Sequence, residues 1–218
     1  MSERQLYPFL YKNDDPDDGT VRGALAAVRA STLQKVRDVV ALREQLLAEY
    51  ADELVACARA MARAFDQGGK LLAFGNGGSA TDAQDAATDC IVPPVASWRP
   101  LPALALSNDA ATLTAVANDV GFENVFLRQV IAYGAPGDVA LGVSTSGNSG
   151  NVLAALAEAK RRRLLTVGLA GNDGGAMAAA ELDYCFIART DYVPRIQEGH
   201  ATIWHTLLEL VQEELGGV

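Results

Sequence analysis

The chain is poor in cysteine, with only Cys57, Cys90 and Cys185 among its 218 residues. These three lie far apart, their number is odd, and no CxxC pair or similar zinc spacing occurs, which favours free thiols in a reducing compartment. The first residues lack the basic and then apolar pattern of a signal peptide. No apolar run approaches the ~20 residues of a membrane span. We therefore expect a cytoplasmic protein that does not enter a membrane.

Positive charge is scarce as well. The chain has 18 Lys and Arg against 27 Asp and Glu, which gives a net charge of -9 and a pI of about 4.7. This balance offers no electrostatic surface for nucleic acid, so we expect no nucleic-acid partner. Because the overall field repels anions, an anionic ligand must be held by backbone N–H groups, hydroxyls or a metal ion. Half of the residues are hydrophobic, which is typical of a globular protein with a real core.

Short apolar runs alternate with helical patterns through most of the chain. This alternation predicts parallel strands joined by helices that cover both faces of the sheet. A long final helix is predicted from about Pro194 to Leu215. The predicted strands are 70–74, 101–106, 138–143, 164–170 and 182–188, and the helices between them are about 79–90, 109–117, 122–132, 148–162 and 174–180. The expected fold class is therefore α/β, with a five-stranded parallel sheet.

Two helical patterns precede the first strand, and the boundary between them falls near Ala51. The glycines of QGG at 67–69 end the second helix. We expect a single domain, 1–218, in which residues 1–66 form an N-terminal helical extension and residues 67–218 form the α/β core. Helices before the first strand are unusual in such a domain. They either extend the core or pair with another subunit, and the sequence leaves both alternatives open.

Two predicted strands run into turns rich in glycine and hydroxyl side chains: GNGGS at 75–79 and STSGNSG at 144–150. Ligands of parallel α/β sheets bind at the carboxyl ends of the strands. Glycine lets the backbone approach a ligand closely, and a helix N-terminus offers unpaired N–H groups to an anion. Neither turn has the P-loop lysine or the GxGxxG spacing. Together, the two turns predict a site for a phosphorylated small molecule.

Three carboxylates follow the first turn, Asp82, Asp85 and Asp89, at i, i+3 and i+7. This spacing places them on one face of a helix. Crowded carboxylates repel one another, so either this face is solvated or a cation lies among them. Asp82 also has an ordinary role as a negative charge near the helix N-terminus. The three carboxylates by themselves are compatible with either a solvated face or a bound cation.

The final predicted helix carries both histidines of the chain, His200 and His205, together with Gln197 and Glu198. Imidazole, carboxylate and amide oxygen are all metal ligands. Gln197 and His205 are eight residues apart and would have to converge on one ion from adjacent faces of the helix. Glu198 and His205, seven apart, share a face better, so Glu198 is an alternative ligand.

Four segments of the chain, in this order, resemble the sugar isomerase (SIS) domain family, and more narrowly the phosphoheptose isomerases. They are GNGGSATDAQ, NDVGFENVF at 118–126, STSGNS, and RIQEGHATIWH at 195–205, and the resemblance covers about residues 22–217. It implies a three-layer α-β-α, flavodoxin-like fold and a homotetramer. The activity implied is aldose–ketose isomerisation, between sedoheptulose 7-phosphate and glycero-manno-heptose 7-phosphate, with metal assistance.

The resemblance also implies roles for individual residues. Asp89 and His205 would be the catalytic acid–base pair, and the cofactor would be a divalent metal, Zn²⁺ with Mn²⁺ as the alternative. The metal ligands would be Asp85, Asp89, Gln197 and His205. The substrate would contact Asn76, Gly77, Gly78, Ser79, Asp119 and Gln197, and its phosphate would contact Ser144, Thr145, Ser146 and Ser149.

Three departures from the family's pattern are visible. Asp85 stands where the family has histidine, and Asp89 stands where it has glutamate, although both substitutions keep metal-binding chemistry. The arginine that follows the glutamate is missing, and Arg99 is one candidate to replace it. These changes motivate a second hypothesis: a non-catalytic SIS protein that binds a sugar phosphate or a protein partner, as a replication-initiator-associating member of the family does.

Overall fold

The computed structural model describes residues 18–216, with side chains from Gly23 onward. The described part of the chain divides into two units between Asp38 and Val39. None of the helices in the described part of the chain has the length and hydrophobicity that crossing a bilayer requires.

A single helix, α1 (Asp18–Asp66), stands where two helices were predicted, so the predicted break near Ala51 is wrong. The residues around that position include no Gly or Pro, and nothing interrupts the i to i−4 hydrogen bonds. The apolar side chains of the described part of the first unit are exposed. From Leu42 onward the helix buries an apolar face in the core of the second unit. This face consists of Leu42, Leu46, Tyr50, Leu54, Cys57, Met61 and Phe65.

The expected α/β fold is confirmed, and its five strands are all parallel in the order β2-β1-β3-β4-β5. The strands are β1 (Leu71–Gly75), β2 (Ala103–Ala105), β3 (Val139–Ser144), β4 (Leu165–Gly171) and β5 (Tyr184–Ala188). The helices after α1 are α2 (Gly78–Ile91), α3 (Ala110–Val120), α4 (Val125–Tyr133), α5 (Gly150–Arg161), α6 (Gly175–Ala178) and α7 (Val193–Glu214).

Helices cover both faces of this sheet. A Cβ on Gly142 would lie 2.7 Å from the side chain of Leu156, so this face of β3 is covered by α5. Leu141 and Val143, on the opposite face of the same strand, line a cavity together with side chains of α2 and α7. The predicted three-layer arrangement follows.

Strand β2 is shorter than the predicted run 101–106 and lies at the edge of the sheet. Pro102 has no N–H to donate, although its carbonyl accepts a hydrogen bond from the Leu71 N–H at 2.9 Å. A proline is tolerated in this way at an edge. The missing donor explains why regular pairing begins only at Ala103.

The strand order reverses at the β1–β3 pair, which is the point where doubly wound sheets bind their ligands. Gly75, at the end of β1, is in register with Val143 near the end of β3. The two glycine and hydroxyl turns that follow these strands therefore lie side by side. The fold alone makes this edge the candidate site.

Candidate active site at the carboxyl edge of the sheet

A pair of asparagine side chains joins the two turns. Asn76 Nδ2 donates to Asn151 Oδ1 at 2.8 Å, and Asn151 Nδ2 donates to Asn76 Oδ1 at 2.9 Å. Asn151 is buried and lies in the first turn of α5. Sequence reasoning missed Asn151, whose only signal was an amide side chain directly after the STSGNSG turn. The paired amides hold the two turns in a constant relative position.

The second turn presents hydroxyls and helix N–H groups to the same edge. Ser144 is buried, and its Oγ lies 2.9 Å from Ser149 Oγ. Ser149 is the N-cap residue of α5, but its side chain makes no capping hydrogen bond in the described chain. Thr145 is half-buried and Ser146 exposed. Hydroxyls beside the first-turn N–H groups of a helix form a ready site for an anion.

The first turn is shaped by the approach of the final helix. Gly77 has a φ of 55°, in the left-handed region that favours glycine. A Cβ on Gly78 would lie only 2.6 Å from Gln197 Nε2 of α7. Ser79, the next residue, is buried at the start of α2. The backbone conformation therefore favours glycine at position 77, and the Gln197 side chain leaves room only for glycine at position 78 unless its tip moves.

Two of the three carboxylates on this face of α2, Asp85 and Asp89, lie close to the imidazole of His205. The ligand atoms of Asp85, Asp89 and His205 all lie within 4.8 Å of one another. Asp89 Oδ2 lies 3.6 Å from His205 Nε2, and it also accepts a hydrogen bond from the Trp204 indole N–H at 3.2 Å. Two ligands of a tetrahedral ion with bonds of ~2.1 Å lie about 3.4 Å apart. Two carboxylates and an imidazole at this spacing could hold a divalent metal ion.

The third carboxylate has a different partner. Asp82 accepts hydrogen bonds from Gln197 Nε2, at 3.3 Å to Oδ1 and 3.5 Å to Oδ2. Gln197 therefore reaches the acidic face of α2 through Asp82. Glu198, the alternative ligand, forms an ion pair with the buried Arg195 instead of joining the cluster.

Two further residues lie away from the cluster. Asp119 is exposed in the last turn of α3, and its Oδ1 accepts a hydrogen bond from Asn118 Nδ2 at 2.8 Å. Its contact with the substrate stays a prediction. The guanidinium of Arg99 lies 3.6 Å from Asp66 Oδ1, at the end of α1. This ion pair is exposed and weak, and the role of Arg99 as a replacement for the missing arginine stays a prediction.

The cysteine next to Asp89 is not a nucleophile. Burial, together with a smaller contribution from the neighbouring Asp89 charge, raises the pKa of the Cys90 thiol to about 12. A thiol becomes reactive as the thiolate, which is a negligible fraction at neutral pH when the pKa is so high. The thiol is therefore not a candidate nucleophile, and the Asp89 carboxylate and His205 imidazole remain the candidate reactive groups.

Comparison with known proteins identifies the family to which this chain belongs. The family model described as "SIS domain" matches residues 36–171. A phosphoheptose isomerase from Solidesulfovibrio magneticus is 46% identical over 180 residues, covering 83% of this chain and 87% of the relative. One from Aquifex aeolicus is 46% identical over 164 residues, covering 75% and 85%.

Solved structures give the same result. The phosphoheptose isomerase from Neisseria gonorrhoeae has a TM-score of 0.78 and 34% identity, over 85% of this chain and 99% of that one. The enzyme from Francisella tularensis has a TM-score of 0.72, also at 34% identity, over 84% and 98%. Identity at this level over most of both chains is shared by members of one family, so this chain belongs to the SIS domain family and, within it, to the phosphoheptose isomerases.

Proposed function

We propose that this protein interconverts sedoheptulose 7-phosphate and glycero-manno-heptose 7-phosphate. The observation that carries the proposal is the Asp85–Asp89–His205 cluster beside two hydroxyl-lined turns at the switch point of the sheet. Relatives named phosphoheptose isomerases match over most of the chain. An acid–base pair next to a phosphate site is what an aldose–ketose isomerase of a sugar phosphate requires.

The phosphate is assigned to the second turn, with Ser144, Thr145, Ser146 and Ser149 as donors. The N–H groups at the start of α5 add to them, and they offset the net charge of -9 locally. The first turn, with Asn76, Gly77, Gly78 and Ser79, would border the sugar. Binding the phosphate far from the reacting carbons supplies energy that orients C1 and C2.

The proton transfers are assigned to Asp89 and His205. Isomerisation moves a proton between C1 and C2 of the open-chain sugar and shifts the carbonyl with it, so it needs a base at carbon and a proton donor at oxygen. The 3.6 Å separation of Asp89 Oδ2 and His205 Nε2 lets both groups reach adjacent atoms of one substrate. The indole of Trp204 fixes the orientation of the Asp89 carboxylate.

Asp85, Asp89, His205 and the carbonyl oxygen of Gln197 are assigned as ligands of a divalent metal, Zn²⁺ with Mn²⁺ as the alternative. When bound, this ion supplies a Lewis acid that stabilises the developing enediolate, a contribution of several kcal/mol. The extra carboxylate, relative to a histidine ligand, shifts the preference toward harder ions such as Mn²⁺. Metal analysis of the purified protein measures which ion is retained.

We further propose a cytoplasmic homotetramer with the N-terminal helix in the subunit contacts. Leu25, Val28 and Val36 on this helix are 64%, 62% and 54% exposed, which is unusual for large apolar side chains on one helix. The three cysteines are all free, in keeping with a reducing compartment. Light scattering in solution measures the mass of the assembly, and a monomer would contradict this part of the proposal.

An assay of sedoheptulose 7-phosphate with and without chelator tests the activity. We expect turnover that chelator removes and added Zn²⁺ or Mn²⁺ restores. Asp89→Asn and His205→Gln should each lower kcat by about 10²- to 10⁴-fold. Glu213→Gln is the matched control, because Glu213 is exposed near the end of α7 and lies outside the cluster. Sugar-phosphate binding without turnover, whatever divalent metal is added, would instead support a non-catalytic binder.

A further inference from the structure

An open cavity lies at the edge of the sheet opposite the candidate active site. Its volume is about 440 Å³, which is within the range of small-molecule sites. Its lining includes Gly137, shortly before β3, and Leu165, the first residue of β4, so it lies at the amino ends of these strands. The strands are six and seven residues long, and at ~3.3 Å per residue their two ends lie roughly 20 Å apart. The cavity is therefore separate from the candidate active site.

The lining of this cavity is positively charged, although the chain as a whole is acidic. Three cationic side chains line it, Arg63, Lys160 and Arg163. Asp183 is the one carboxylate among the described residues of the lining, which leaves a net charge of +2 there. The whole chain carries a net charge of -9. A local field of the opposite sign favours an anionic ligand at this place and at few others on the molecule.

The two arginines of the lining are free to bind a ligand. Neither Arg63 nor Arg163 forms an ion pair within the described part of the chain. The arginines next to Arg163 in sequence differ in this respect, because Arg161 and Arg162 both pair with Glu158, at 2.7 and 2.6 Å. Cations near a helix C-terminus also balance the helix dipole, and this role accounts for the presence of basic residues at the end of α5. It does not require two guanidinium groups to share one cavity.

Arg163 occupies a backbone position that favours glycine. Its φ is 65°, in the left-handed region. Its N–H donates to the Lys160 carbonyl at 3.0 Å, and the Leu164 N–H donates to the Ala159 carbonyl at 3.0 Å. This is the hydrogen-bond pattern of a Schellman motif, in which glycine usually occupies the position of Arg163. An arginine is thus retained where its backbone is unfavourable, and a ligand contact of its guanidinium explains why.

We propose that this cavity binds a small molecule that carries a diphosphate group. Guanidinium groups bind phosphate oxygens through paired N–H donors, so Arg63 and Arg163 each take one of the two phosphates. Lys160 Nζ donates to Asp183 Oδ1 at 2.5 Å, which holds the ammonium at the cavity and leaves it two further N–H donors. The inference does not depend on the reaction proposed at the other edge of the sheet.

Calorimetric titration of the purified full chain with inorganic pyrophosphate tests the proposal. We expect saturable binding of one pyrophosphate per chain at this cavity. Arg63→Gln and Arg163→Gly should each weaken it by about 10-fold or more, because each removes charge-assisted hydrogen bonds. Arg161→Gln is the matched control, since it removes a charge from the same basic run outside the lining, and the affinity should stay within about twofold.

Arg163→Gly also separates binding from folding. Glycine suits the left-handed position, so the melting temperature should stay constant or rise while the affinity falls. An unchanged affinity together with a lower melting temperature would show that the guanidinium only balances the end of α5, and this result would overturn the proposal.

Two further comparisons fix the place and the class of the ligand. Ser149→Ala changes the proposed substrate phosphate site and should leave the pyrophosphate affinity within about twofold. Weaker binding in Ser149→Ala, with unchanged binding in both arginine variants, would place the anion at the other edge and overturn the proposal. Orthophosphate that binds as tightly as pyrophosphate would overturn the diphosphate class. ADP that binds more tightly than pyrophosphate would identify a nucleoside diphosphate as the ligand, and equal affinities would show recognition through the diphosphate alone. Because the readout is binding, failure of the isomerase assay leaves this test intact.

Discussion

Replacing Gly78 with alanine separates the stability of the fold from the geometry of the site. The added Cβ would lie 2.6 Å from Gln197 Nε2 and 3.0 Å from Gln197 Cδ. The Gln197 tip must retreat by about 0.8 Å to reach an ordinary contact distance. Its hydrogen bond to Asp82, already 3.3 Å long, would then be lost. Because Gln197 is a flexible side chain, the backbone need not move.

We expect opposite effects on the two observables. Gly78 is the first residue of α2, where exchanging glycine for alanine stabilises the helix by at most the ~0.5–1 kcal/mol found in the middle of a helix. The melting temperature should therefore stay constant or rise by about 2 °C. A displacement of ~1 Å at a positioned group costs about 10²-fold in rate, so kcat/KM for sedoheptulose 7-phosphate should fall by that order.

Gly23→Ala is the matched control. A Cβ on Gly23 meets nothing within 4 Å, so the same exchange on α1 should affect stability alone. Thermal melts and steady-state kinetics on both variants complete the comparison. Full activity in Gly78→Ala would refute the reasoning. A large loss of stability would refute it as well, because that loss would show that the backbone of the turn, and not the Gln197 side chain, resists the methyl group.

Three further predictions concern other parts of the molecule. Trp204→Phe removes the indole N–H that donates to Asp89 Oδ2 at 3.2 Å. A hydrogen bond to a charged group contributes about 1.5–3 kcal/mol, so kcat should fall about tenfold or more. An unchanged kcat would contradict the role of the indole. Burial raises the pKa of Cys90 to about 12 and of Cys185 to about 11. A thiol reagent should therefore label the folded protein slowly at pH 8, faster as the pH rises toward 11, and completely in denaturant. Rapid labelling at pH 8 would disprove this prediction. Asp138→Ala removes a buried carboxylate that pairs with a lysine and accepts hydrogen bonds from two backbone N–H groups. The free energy of unfolding, measured in urea, should fall by about 2–4 kcal/mol. A decrease below about 1 kcal/mol would show that water replaces these bonds.

The elements of the sheet were predictable because their signal is local. The runs 138–143 and 164–170 differ from β3 and β4 by one residue, since strands buried on both faces read as continuous apolar stretches. The break predicted near Ala51 had no glycine or proline to support it, and α1 runs through it. Pro102 shortened β2 because a proline cannot donate to the ladder.

The residue types of the site were predictable from the sequence, but the contacts between these residues were predictable only in part. The spacing of Asp85 and Asp89 and the presence of His205 are visible in the sequence, and the structure brings these three together. The contact of Gln197 with Asp82 and the Asn76–Asn151 bridge were not visible, because each joins side chains from segments distant in the chain. No pattern within one helix reports which residue of another helix it will meet.

The sequence by itself therefore determined which segments are strands and helices, where the glycine turns fall, and which donor groups are available, since periodicity and backbone freedom act over a few residues. The tertiary structure alone decided that β1 lies beside β3, that α7 passes over Gly78, and that the imidazole faces the carboxylates of α2. Strand order and helix docking depend on how whole apolar faces pack together, and this long-range choice places the reactive groups at one edge of the sheet.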